Sequence, residues 1–233
     1  MPENIQNKLN ISQIADKLLK DASVRFSKCE VENLLKLFSK CSRDAEKMDR
    51  MRFRDVLHNM FEMTDDMLMD RTFKAFDRDN DSLISKEEWV KGMSIYLKGS
   101  LEEQAKFCFD VYSMSAVNAT ESVISREDIH SMLKHCLVKQ PTEEDPDEGV
   151  KDLVDLMLKK MDFDKDGRLS YEEYRRSVVE DPLLLEAFGP CLPCPKTRLV
   201  FLRSIEDPKM KKNNGNSGEV VAAAAESKLR PVP

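Results

Sequence analysis

Two twelve-residue stretches place oxygen-bearing side chains at the same spacing. In one, Asp162, Asp164 and Asp166 alternate, Gly167 follows, and Glu173 closes the stretch. In the other, Asp77, Asp79 and Asp81 alternate, Ser82 follows, and Glu88 closes it. Alternating carboxylates with a later glutamate can wrap one hard cation. Calcium takes about seven oxygens at roughly 2.3–2.6 Å, from positions 1, 3 and 5, a backbone carbonyl at position 7, and both oxygens of the acid at position 12. Leu83 and Arg168 stand at position 7 and offer those carbonyls, so the charge on Arg168 plays no part. Ser170 at position 9 can hold a water. Position 6 needs a sharp turn at positive φ, which Gly167 allows freely. Ser82 has a side chain there, at a cost of about 1 kcal/mol or more. That is roughly a fivefold loss of affinity. Two Ca2+ sites follow, open to Mg2+ at rest.

Such loops need a helix on either side, and the flanks provide them. Leu158 and Met161 precede one loop and Tyr174 follows it; Phe73 and Phe76 precede the other and Trp89 follows it. Trp89, Met93, Tyr96 and Leu97 keep the helical spacing, as do Ala105, Cys108, Phe109 and Tyr112. Ile129, Met132, Leu133, Cys136 and Leu137 repeat it, and alternation of the strand kind appears nowhere at length. The pattern is the EF-hand, helix–loop–helix. Such hands pair through a short β contact at position 8, which is Leu169 in the second loop.

Two further hands lack the ligands. Around Met48 at position 8, the first hand places Cys41, Arg43 and Arg52 at positions 1, 3 and 12. Around Ile124 at position 8, the third hand places Asp128 at position 12, an acid shorter than the usual glutamate. Counting back from it puts Val117 at position 1; counting forward from Tyr112 puts Ser113 first in a longer loop, with no carboxylate before Glu121. Both hands are expected to be structural partners, one to each calcium loop.

The fold class is therefore all-α: an EF-hand protein with two lobes of paired hands plus C-terminal helices. The boundaries expected are an N-terminal helical segment over 1–25, lobe 1 over 26–99, lobe 2 over 100–180, docking helices over 181–207, and a disordered tail over 208–233. Helix starts support this. Ser100 and Glu103 form a capping box, Asp65 and Asp66 suit the positive end of a helix, and Asp181 precedes Pro182. Leu183, Leu184, Leu185 and Phe188 lie on a segment too short to stand alone, so it must dock. The stretch 139–149, with Pro141 and Pro146, reads as a solvated connector.

The 233 residues carry a formal net charge of -6, with 34% charged and 41% hydrophobic residues. That balance argues against a nucleic-acid footprint. No apolar run approaches a membrane span, the start has no signal-peptide pattern, and Pro2 excludes myristoylation. The expectation is a cytoplasmic protein with no membrane or nucleic-acid partner, its six cysteines reduced. Cys191 and Cys194 have a CxxC spacing without a second pair to complete a zinc site, and the three histidines lack ligand spacing. No nucleophile–base signature or phosphate loop is present, so no enzyme is indicated.

Several stretches resemble the calaxin family: 62–67 from Glu62 to Met67, 98–103 from Lys98 to Glu103, the connector 139–149, and 183–193 from Leu183 to Pro193. The last two are not generic to EF-hands, and the resemblance covers about 24–202. It implies a calcium sensor of axonemal outer-arm dynein in motile cilia and flagella. The implied partners are the outer-arm dynein heavy chain or docking-complex subunits near doublet microtubules. The third hand departs from the family, whose third loop is usable, so the chain reads as a diverged paralogue. Two other functions fit the same residues. One is a constitutive structural subunit with metal bound for stability; the other is a calcineurin-B-like regulatory subunit.

Overall fold

The computed structural model describes residues 2–113, 122–136 and 146–206. In chain order these hold α1 (Pro2–Leu18), α2 (Lys28–Cys41), β1 (Lys47–Met48), α3 (Arg50–Phe61), α4 (Asp66–Phe76), β2 (Ile84–Ser85) and α5 (Lys86–Lys98). Then come α6 (Leu101–Tyr112), β3 (Val123–Ser125), α7 (Arg126–Cys136), α8 (Pro146–Met161), β4 (Arg168–Ser170), α9 (Tyr171–Glu180), a 3-10 helix (Pro182–Glu186) and α10 (Pro195–Ile205). The chain is all-α in class, and its short strands serve only to join loops. The tail from 208 and the connector up to 145 lie outside the described residues. No helix among the described residues is long and apolar enough to cross a membrane.

Contacts divide the chain into two compact units. Among the described residues, the first takes 2–64, 76–98 and 193–206; the second takes 65–75, 99–113, 122–136 and 146–192, so the division falls within α4.

In the first unit, β1 and β2 pair antiparallel, with Met48 opposite Ile84. These are the position-8 residues of the first and second loops. Their side chains are fully buried, as are Phe38, Phe53, Phe76 and Trp89. Phe53 and Phe76 stack at 4.9 Å between ring centres, Phe76 meets Tyr96 at 5.9 Å, and the Trp89 indole donates to the Leu34 carbonyl at 3.2 Å. Each buried ring contributes roughly 1.5–3 kcal/mol of apolar burial. Ser27 caps α2: its hydroxyl accepts the Glu30 N–H while the Glu30 carboxylate accepts the Ser27 N–H at 2.7 Å. Helix α10 lies on α2 and α3, with Phe201 stacked on Phe61 at 4.9 Å and the Asn33 amide donating to the Ile205 carbonyl at 3.0 Å.

In the second unit, β3 and β4 pair with Ile124 opposite Leu169, again position 8 to position 8. Ser100 and Glu103 make the capping box that starts α6, and Asp65 accepts the Leu68 N–H at the start of α4. The 3-10 helix lies on α6 and α9. The Tyr174 hydroxyl donates to the Leu185 carbonyl at 2.5 Å, and the Tyr112 hydroxyl donates to the Gly189 carbonyl at 2.6 Å. Phe188 is fully buried against Tyr112, and Leu184 is buried. Leu183, expected to be covered like its neighbours, is instead 90% exposed. A helix of three residues per turn cannot turn three consecutive side chains to one face. The CxxC cysteines have different company. The Cys191 thiol is buried 3.2 Å from the Cys108 thiol, whereas the exposed Cys194 thiol accepts the Thr197 N–H at the start of α10.

Candidate metal centre

Asp77 follows the last residue of α4, and Glu88 sits in the first turn of α5. The chain between them must therefore fold back on itself. It does so through left-handed residues at positions 4 and 6, Asn80 (φ 57°) and Ser82 (φ 66°). The second loop repeats this with Lys165 (φ 63°) and Gly167 (φ 79°). Ser82 adopts the conformation its position demands despite its side chain.

The turn aims the side chains inward, where backbone amides hold them. Asp77 Oδ1 accepts the Asp81 N–H at 3.1 Å and its Oδ2 the Ser82 N–H at 2.9 Å. Asp162 Oδ2 accepts the Gly167 N–H at 2.9 Å in the same way. Asp79 and Asp81 accept from Asp81 and Leu83; Asp164 and Asp166 accept from Asp166 and Arg168. As a result, one oxygen from each of Asp77, Asp79 and Asp81 lies within 4.8 Å of the others, and the same holds for Asp162, Asp164 and Asp166. Among the described residues these are the two clusters of three or more potential metal-binding groups. Three carboxylates brought this close repel one another and provide hard oxygen donors, so the donor set fits a divalent cation such as calcium.

The closing glutamates divide their oxygens between two tasks. Glu88 Oε2 accepts the N–H and hydroxyl of Ser85 at 2.9 and 2.7 Å; its Oε1 turns into the loop and accepts the N–H groups of Arg78 and Asp79 at 2.8 and 3.2 Å. Glu173 does the same with Ser170, Phe163 and Asp164. Each glutamate thus ties its exiting helix to the start of its loop. Burial pushes the Glu88 carboxyl upward, but these donors together outweigh it and hold the group below its ordinary range. Glu173 follows the same balance. Asp77, 6% exposed, is raised, chiefly by burial.

The positions expected to offer backbone carbonyls are Leu83, partly exposed in its loop, and Arg168, the first residue of β4. Ser170, expected to hold a water, is engaged with Glu173 as the cap of α9. The signal was present, because Ser170 and Glu173 have the same spacing as the capping box at Ser100 and Glu103. One participant carried no sequence signal. Lys47, on the strand paired with β2, places its ammonium on the Asp81 carboxylate and 3.7 Å from Asp79. This hydrogen bond is the main cause of the lowered Asp81 pKa. The loops thus differ by the Lys47 ammonium reaching across from β1 as well as by Ser82 against Gly167.

Among the described residues, the other two hands gather no such cluster. In the first, Arg52 stands at position 12, and the thiol of Cys41 at position 1 is pushed up to about 11, mainly by burial. In the third, Asp128 caps α7 through Ser125, while Val117 and Glu121 lie outside the described residues.

Comparison with known proteins selects the same two hands. The family model for the EF hand matches residues 68–94 and 153–179. The chain is 48% identical over 210 residues to calaxin of Bos taurus, covering 87% of this chain and 97% of the other. It is 50% identical over 203 residues to calaxin of Xenopus laevis, covering 84% and 95%. The calcineurin B protein of Candida glabrata is 29% identical over 169 residues, 72% and 89% of the two chains.

Proposed function

The chain belongs to the calaxin family, and from that premise we propose that it is a calcium-responsive adaptor of the outer dynein arm in motile cilia and flagella. It is an EF-hand protein of the calcium-binding kind. The pair of convergent carboxylate clusters, one in each unit, supports the calcium response, and the likeness to calaxins supports the dynein arm.

Asp77, Asp79, Asp81, the Leu83 carbonyl and Glu88 would hold one ion; Asp162, Asp164, Asp166, the Arg168 carbonyl and Glu173 would hold the other. The ion supplies the positive charge that offsets repulsion among the carboxylates. The chain's own contribution is the linkage from loop to helix. Glu88 and Glu173 are the first-turn residues of α5 and α9, so any change in what their oxygens bind is passed to those helices. Trp89 and Tyr174 follow directly in the cores. Movement of α5 and α9 is what a partner segment of outer-arm dynein or its docking complex would read.

The test is the position of the endogenous protein in cells with motile cilia. It should be found along the axoneme and leave it with the outer arms on high-salt extraction. Absence from axonemes would refute the dynein reading and leave the calcium chemistry standing.

A further inference from the structure

Each silent hand keeps the scaffold of a calcium hand. In the third hand Asp128 divides its oxygens as Glu88 and Glu173 do. Its Oδ2 accepts the hydroxyl and N–H of Ser125 at 2.7 and 3.2 Å. Its Oδ1 faces the Arg71 guanidinium, with Nη2 at 3.6 Å. Arg71 arrives from α4 and its side chain is only 7% exposed. Its Nη1 donates to the Tyr112 carbonyl at 3.0 Å and touches the Met132 sulfur at 3.2 Å. Tyr112 is the last residue of α6, just before the loop. The guanidinium therefore bridges the start of the loop and the acid that closes it. A bound cation connects those same two places in a calcium hand.

The first hand reaches the same result with a residue of its own. Arg52 occupies position 12 in place of the closing acid. Its Nη1 donates to the carbonyl of Ser42, the second loop residue, at 2.8 Å, and its Nε lies 3.4 Å from Asp49, the cap of α3. Again one guanidinium links the exiting helix to the start of the loop.

We propose that Arg71 and Arg52 are resident cations that close the third and first hands in place of calcium. A charge buried as Arg71 is, 7% exposed, is costly unless paired, and its partners are the closing acid Asp128 and the residue that precedes the loop; Arg52, 31% exposed, is held in the same way with less burial. Each silent hand is then closed at any calcium concentration, and presents Ile124 or Met48 in register to Leu169 or Ile84. The fixed positive charge also repels a divalent ion. This inference does not depend on the axonemal reading.

The test uses the full chain in excess chelator, with thermal melts of Arg71→Met, Arg71→Lys, Asp128→Asn and the double variant Arg71→Met with Asp128→Asn. Arg71→Met should lower the melting temperature by roughly 10 °C, the scale for stranding one member of a buried pair in a chain of this size. Arg71→Lys, which keeps the charge but not the fork, should recover part of that loss. The double variant should lose much less than the sum of the two single losses. Arg52→Met and Arg52→Lys should follow the same order in the first hand. Equal losses for Met and Lys would overturn the proposal, because charge would then be irrelevant, and so would strictly additive losses in the double variant. Should Arg71→Met fail to fold, the cycle of Arg71→Lys, Asp128→Asn and their double variant still gives the coupling.

Discussion

Replacing Gly92 with alanine should destabilise the protein, against the usual rule for helices. Gly92 lies inside α5, where Ala is favoured over Gly by about 1 kcal/mol. A methyl group built there would sit 2.4 Å from two carbons of the Phe76 ring, more than 1 Å inside ordinary contact. The ring cannot retreat, because it is fully buried and already stacked on Phe53 at 4.9 Å and Tyr96 at 5.9 Å. Overpacking of this kind costs typically 1–3 kcal/mol and here exceeds the propensity gain. The net loss reaches about 2 kcal/mol, or up to roughly 8 °C in melting temperature for a chain of this length. There is a functional readout as well. Phe76 directly precedes Asp77, and α5 carries Glu88, so displacing the ring should weaken the Asp77 loop and spare the Asp162 loop. Thermal melts followed by calcium titration of each loop, the other silenced at its closing glutamate, give both numbers. A Gly92→Ala protein that melts higher than wild type would refute the packing argument.

The chain should bind two calcium ions, counted by native mass spectrometry, with the Asp162 loop tighter because Gly167 replaces Ser82. In calorimetry, Glu88→Gln and Glu173→Gln should each weaken their own site by roughly tenfold or more, and Glu88→Gln should retain the stronger remaining site. Lys47→Met should strengthen the Asp77 loop by about twofold to fivefold by removing an ammonium that competes for Asp79 and Asp81; unchanged affinity would show that this contact is irrelevant to binding. On brief alkylation read by mass spectrometry, Cys194 should be modified first, since it is exposed and the Thr197 hydroxyl, with its N–H, holds its thiol below the ordinary range. Cys41 should lag, its thiol pushed up to about 11 chiefly by burial, and Cys108 later still, buried beside Cys191.

Much of this was legible from spacing alone. The alternating carboxylates, the closing glutamates and the helical apolar rows are patterns within one loop or a few turns. Their meaning depends on neighbours close in the chain, so Met48 opposite Ile84 and Ile124 opposite Leu169 could be read as position-8 pairs before any fold was in view. The caps follow the same local logic, and the Ser170 role was available there as well. Other features were set only when the chain closed on itself. Lys47 reaches Asp81 across 34 residues, and Arg71 reaches Tyr112 across 41. A lysine or arginine on a helical or strand surface looks the same in sequence whether it meets water or a carboxylate. Desolvation and paired charge decide its role, and those exist only in the packed structure. The same holds for Gly92, whose importance is the Phe76 ring lying over it. Leu183, Leu184 and Leu185 have equal hydrophobicity, and only the three-residue turn of the 3-10 helix buries the middle one and leaves Leu183 in water.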